Sequence, residues 1–335
     1  QTKPLLRQLV FFIFGFSPKF MQKIFFSFAL LYSIGAFSQS WKPVNGTKDS
    51  KNHYTAIKNA TIYIKSGQVL ENATLLIQKD KIVTVGTSVE LPANTVEIDA
   101  KGKFIYPSFI DLHTQYGIDS LKSVERSRSQ EPQLGSKKES IFYWNQAVKP
   151  ETKAADMVIP KKDDAEKFRK MGFGTVLTHQ HDGLLRGTSA LVALNEGENF
   201  KLLQAESASH YSFNKGSSKQ TYPSSLMGMI ALIRQVHFDA KWYTENKKLT
   251  EYNRSLASIE ETQDLPKIFE TYGTLSQLRA DKIGDEFGFQ FILKGDGTEY
   301  ERIQDIKATE AALIVPITFP NAYDVSDPFA TIQLP

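Results

Sequence analysis

Near residue 104 the apolar pattern of this 335-residue chain changes period, and that switch constrains the fold more than any other feature. Upstream, Ile57, Ile62 and Ile64, then Leu75 and Ile77, then Ile82, Val83 and Val85 fall in short runs. Ser66-Gly67 and Asp80-Lys81 separate them, and Gly86 follows the third. Short strands about ten residues apart predict a small antiparallel sheet, too small to be stable alone. Downstream, strand-like runs alternate with helical ones. Residues 104–113, 175–178, 189–194, 268–269, 289–293 and 311–316 read as strands. Residues 163–171, 224–243, 275–286 and 300–308 read as helices, the second carrying a stripe of Leu226, Ile230, Ile233, Val236 and His237. Such alternation predicts six parallel strands with right-handed crossovers. A closed (β/α)8 barrel needs eight, in about 250 residues. The chain therefore reads either as an open sheet or as a fragment ending partway round a barrel. Polar excursions interrupt the pattern near 119–160 and 195–265.

The net charge of +3 has a location. Residues 1–40 hold Lys3, Arg7, Lys19 and Lys23 and no acid, which leaves residues 41–335 at −1 (+3 less +4). A near-neutral body gives no electrostatic case for a nucleic-acid partner. Met21-Gln22-Lys23 precedes an apolar run over residues 24–37 and a small-residue pattern, Ala36-Phe37-Ser38. These are the parts of a secretory signal peptide, with translation starting at Met21. The run falls short of the about 20 residues of a membrane span, so no stable span is expected after cleavage. The expected location is the periplasm or cell surface. Residues 41–53 read as a linker. The absence of cysteine excludes disulfides, thiolate metal sites and a cysteine nucleophile.

The stretch Ile98-Asp99-Ala100-Lys101-Gly102-Lys103-Phe104-Ile105-Tyr106-Pro107-Ser108-Phe109-Ile110-Asp111-Leu112-His113-Thr114-Gln115 resembles the start of the barrel in the amidohydrolase superfamily. There the pattern is I-D-A-x-G-K…P-G-F-I-D-x-H-x-H. Upstream, residues 78–86 are similar to that family's strand pair I-x-x-G-x-I-x-x-I-G, and the likeness is continuous over about 54–117. Gly172-Phe173-Gly174-Thr175-Val176 suits the family's second barrel strand. The resemblance implies an incomplete (β/α)8 TIM-like barrel over residues 104–335, preceded by part of a small β-sandwich over 54–103. It also implies that further ligands and the missing strands come from a remaining C-terminal part of the protein. His113 matches the first histidine of the family's H-x-H, but Gln115 stands at the second and Ser108 replaces the glycine. A carboxamide is a poorer zinc ligand than an imidazole.

A second constellation, Thr178-His179-Gln180-His181-Asp182-Gly183, ends the next strand. Residues two apart on a strand point the same way, so His179 and His181 face one side, at the rim that carries His113. Two readings stay open. The three histidines form a relocated site for a divalent metal, with zinc favoured, or they are hydrogen-bonding rim residues and no cofactor is held. Gln115 and Arg186 are candidate contacts to a small-molecule substrate. Gly295-Asp296-Gly297-Thr298 is a turn whose backbone N–H groups could hold an anion. No catalytic base is assigned. The implied activity is metal-dependent hydrolysis of a C–N bond in an amide or cyclic amide. The alternative is a non-catalytic scaffold domain or a fragment of a longer hydrolase.

Overall fold

The computed structural model of the chain describes residues 54–119, 141–195 and 201–316. The expected signal peptide and linker lie outside these residues. The chain divides into two compact units, one up to Tyr106 and one from Pro107.

The first unit is a five-stranded sheet: β1 (Tyr54–Lys65), β2 (Gln68–Gln78), β3 (Lys81–Gly86), β4 (Val96–Asp99) and β5 (Phe104–Ile105). The expected antiparallel sheet is corrected to a mixed one. β1, β2 and β3 form an antiparallel meander, while β4 and β5 both lie parallel to β1. Gly67, at φ 76°, makes the tight β1–β2 turn that a side chain would strain. Asn59 and Asn72 take positive φ where the β1–β2 register slips. Ala60, Ile62, Ala73, Leu75 and Ala100 form a small core. No second layer of a sandwich occurs among the described residues.

The second unit begins with β6 (Phe109–Thr114). The single strand expected over 104–113 is in fact two. Pro107 lacks an N–H and biases Tyr106 away from helix, so the ladder stops and restarts. Then come α1 (Lys162–Lys170), β7 (Phe173–Thr178), β8 (Leu185–Thr188), β9 (Ala190–Ala193), β10 (Lys201–Gln204) and β11 (Ser209–Ser212). They are followed by α2 (Leu226–Glu245), α3 (Arg254–Glu261), β12 (Lys267–Glu270), α4 (Thr274–Phe287), β13 (Phe291–Lys294), α5 (Ile303–Ala308) and β14 (Leu313–Ile314). Ser225 and Asn253 cap α2 and α3 by accepting the N–H groups of Gly228 and Leu256.

Two sheets result, ordered β10-β9-β7-β6 and β14-β13-β12-β11-β8. β6 and β7 are parallel, as are β11 to β14. The strand expected at 189–194 is present but runs antiparallel to β7. Short segments join β7 to β8 and β8 to β9, and neither leaves room for the crossover that parallel pairing requires. β10, β11 and α3 lie where an excursion was expected. β11 is Ser-His-Tyr-Ser, buried throughout, and its polar composition hides it from a hydropathy pattern. α3 buries Ser255 and Ser258 beside Leu256 and Ala257.

The largest core packs α2, α3 and α4 against β8, β11, β12 and β13, with Phe269 and Phe291 fully buried. A second core layer joins the two sheets: Leu177, Ala208 and Ile268 are buried together, with Leu191, Ile292 and Ile314 against them. Two residues further along the strands are His179, His210, Glu270 and Lys294. Strand alternation turns these toward the same side as the apolar layer, one step nearer the C-terminal strand ends.

Candidate metal and substrate site

Three of the predicted residues come together. Ligand nitrogens of His113, His179 and His181 lie within 4.8 Å of one another. His113 sits near the end of β6, and His179 and His181 follow β7. The His179 N–H donates to the Thr114 carbonyl at 3.1 Å, which continues the β6–β7 ladder and brings the rings together. Ring centroids are 4.7 Å apart for His113–His179 and for His113–His181, and 4.2 Å for His179–His181.

A fourth histidine joins them. His210 of β11 stacks on His179 with centroids 3.6 Å apart. The Nε2 atoms of His113, His181 and His210 and both ring nitrogens of His179 are buried without a hydrogen-bond partner. Burial pushes the His113 ring down to about 4, partly opposed by Glu270. Burial and the neighbouring histidines hold His179 and His210 well below the ordinary range. His181 is lowered by burial and by Arg186. Neutral imidazoles with unengaged nitrogens are the state that binds a divalent ion. The donor set fits one.

Glu270, the last residue of β12, borders the cluster with Oε1 3.8 Å from His113 Nε2. Its Oε2 accepts from Arg186 Nη1 at 2.7 Å, and Arg186 Nε donates to the Gly183 carbonyl at 3.2 Å. Burial pushes the Glu270 carboxyl up, but Arg186 and His113 outweigh it and hold it below the usual range. The guanidinium is thus buried against a protein carboxylate rather than presented to solvent. Gln115 donates to Gln180 Oε1 at 2.7 Å, and the same oxygen accepts the His181 N–H at 3.0 Å. The residue in place of the second family histidine therefore braces the segment that carries His181. Asp182 is buried and locked by Lys149 and Ser217, which fixes the other flank. The Gly295–Thr298 turn is closed on itself. Asp296 accepts the N–H groups of Gly273 and Thr298 and the Thr298 hydroxyl.

His210, Glu270 and Lys294 had not been singled out in the sequence. Glu270 and Lys294 each end a short apolar run, and a polar residue at a strand's C-terminal end is the available signal. His210 offers little, because β11 carries no apolar run.

With the geometry in place, the chain can be set beside known proteins. No family model matches it. It is 47% identical over 60 residues to a 5-methylthioadenosine/S-adenosylhomocysteine deaminase of Thermococcus onnurineus. It is 44% identical over 57 residues to a dihydroorotase of Listeria welshimeri. Each match covers 17% of this chain and 13% of the relative's length. An amidohydrolase from Thermotoga maritima superposes with a TM-score of 0.61 at 20% identity, over 78% of this chain and 70% of that one. Over residues matched at 42–47% identity the chain is similar to members of the amidohydrolase superfamily, and it shares its fold with the Thermotoga amidohydrolase. In this chain the cluster of His113, His179 and His181 is where a divalent ion could be held. No helix among its described residues is long and apolar enough to cross a membrane.

Proposed function

We propose that the chain is a metal-dependent hydrolase of a C–N bond in a small amide or cyclic amide. One observation carries this reading: three imidazoles, each with a buried unpartnered nitrogen, lie within 4.8 Å of one another at and just beyond the ends of two neighbouring parallel strands. His113, His179 and His181 would hold the ion, and three imidazoles suit zinc. When bound, such an ion supplies Lewis acidity, activating water and polarising a carbonyl. The chain's own residues then prepare the site. Burial keeps the rings unprotonated. Arg186 keeps Glu270 ionised beside them, and Gln115, through Gln180, fixes the approach of His181. We read β6, β7 and β11 to β14 as six strands of a (β/α)8 barrel with the site at its C-terminal mouth. The apolar layer beneath the histidines supports this.

The test is hydrolysis of a panel of N-acyl amino acids, simple amides and cyclic amides by the zinc-loaded full chain. Activity should vanish with a chelator, return with zinc, and be absent from His179→Ala. A folded, zinc-loaded chain that cleaves none of them would favour the scaffold reading. Export is proposed from residues 21–38, and the N-terminal residue of the mature protein checks it. A mature chain that still begins at or before Met21 would refute cleavage.

A further inference from the structure

Among the described residues, the ring of polar residues at the strand ends holds a charge with no counterpart. Lys294 closes β13 and is the register partner of Glu270 on the parallel strand β12. In-register partners on adjacent strands lie about 4.8 Å apart and point to the same face. Glu270 approaches His113 on that face. Ile292, two residues before Lys294, packs in the same apolar layer as Ile268, two residues before Glu270. The Lys294 side chain therefore leaves β13 on the histidine side.

Its charge is not neutralised there. Glu270 is engaged by Arg186, and an imidazole offers no negative charge. Lys294 is half-buried, yet its ammonium has no hydrogen-bond or ion-pair partner among the described residues. A half-buried lysine beside the histidine cluster, with no carboxylate of its own, can anchor an anion.

We infer that Lys294 anchors the anionic group of the substrate, so that the substrate is an amide with a carboxylate close to the scissile bond. This rests on the hydrolase reading above. A carboxylate fits better than a phosphate, which favours a nest of several donors. In the nearby turn the Thr298 N–H is already taken by Asp296, as is the adjacent Gly273 N–H.

Matched probes test the anchor: N-acetylglycine, N-acetylalanine and N-acetylproline, each against its primary amide. Binding is measured by calorimetry on the full chain, with zinc and with chelator. Wild type should bind at least one acid about tenfold more tightly than its amide. Lys294→Gln should bring that ratio close to unity without changing the melting curve, and Lys294→Arg should restore most of it. Equal binding of acid and amide in every pair, or no binding of either, overturns the anchor. So does a ratio that survives in Lys294→Gln. The two readings fail separately. Discrimination in a chain that takes up no zinc leaves the anchor and removes the hydrolase. Zinc uptake without discrimination does the reverse.

Discussion

Arg186 and Glu270 show how a single buried pair can be read in both directions. Both side chains are almost fully enclosed, so removing one strands the other's charge. Arg186→Met should destabilise the chain by about 3–5 kcal/mol in chemical denaturation. The double variant Arg186→Met/Glu270→Gln should recover part of that loss, because no isolated charge remains. A loss below about 1 kcal/mol for the single variant would contradict the burial argument. His237 gives the pH counterpart, remote from the ion cluster in sequence. It stacks on Tyr211 and packs tilted against Phe287, and burial followed by Lys267 pushes its pKa down to about 4. Unfolded, the ring titrates near about 6.5. The unfolded chain therefore binds the extra proton between about pH 6.5 and 4, and stability falls as pH falls through that window. His237→Phe should flatten this part of the acid limb in melting temperatures taken from pH 7 to pH 4. An unchanged limb would show that His237 is not a source of it.

Among the elements, β8 depends most visibly on one residue. Gly187 sits at φ 79°, and a Cβ there would lie 1.9 Å from the Thr152 carbonyl oxygen. That carbonyl accepts the Thr188 N–H at 2.8 Å, so the close approach is part of the structure. Gly187→Ala should cost about 2–4 kcal/mol from backbone strain and overpacking together. Because β8 carries Arg186, the same substitution should weaken zinc uptake. A variant with wild-type stability would refute the close approach. The elements also show what a sequence pattern can carry. α2 and α4 were legible because their apolar residues recur at helical spacing, and β12 and β13 because apolar runs mark buried parallel strands. β11 and α3 were not, since serine and histidine fill their buried positions. Orientation was lost as well. The run at 189–194 was visible as a strand, but only the short segments either side of β8 make it antiparallel.

At the scale of the molecule, the part of the site that lay in motifs was legible and the part assembled by tertiary contact was not. His113, His179 and His181 could be named because two strand ends present them at alternating positions. Their convergence within 4.8 Å required β6 and β7 to pair in parallel. His210, Glu270 and Lys294 come from three further strands, and no sequence spacing links them to the first set. An ion that binds only the folded chain stabilises it by mass action, by about 2.7 kcal/mol at a hundredfold excess over Kd. The central claim is that the three histidines hold a divalent metal, and the metal content of the purified full chain tests it most directly. The account predicts one divalent ion per chain, removed by a chelator with a fall in melting temperature and absent from His179→Ala/His181→Ala. A folded chain that binds no divalent ion, or unchanged occupancy in that double variant, would contradict it.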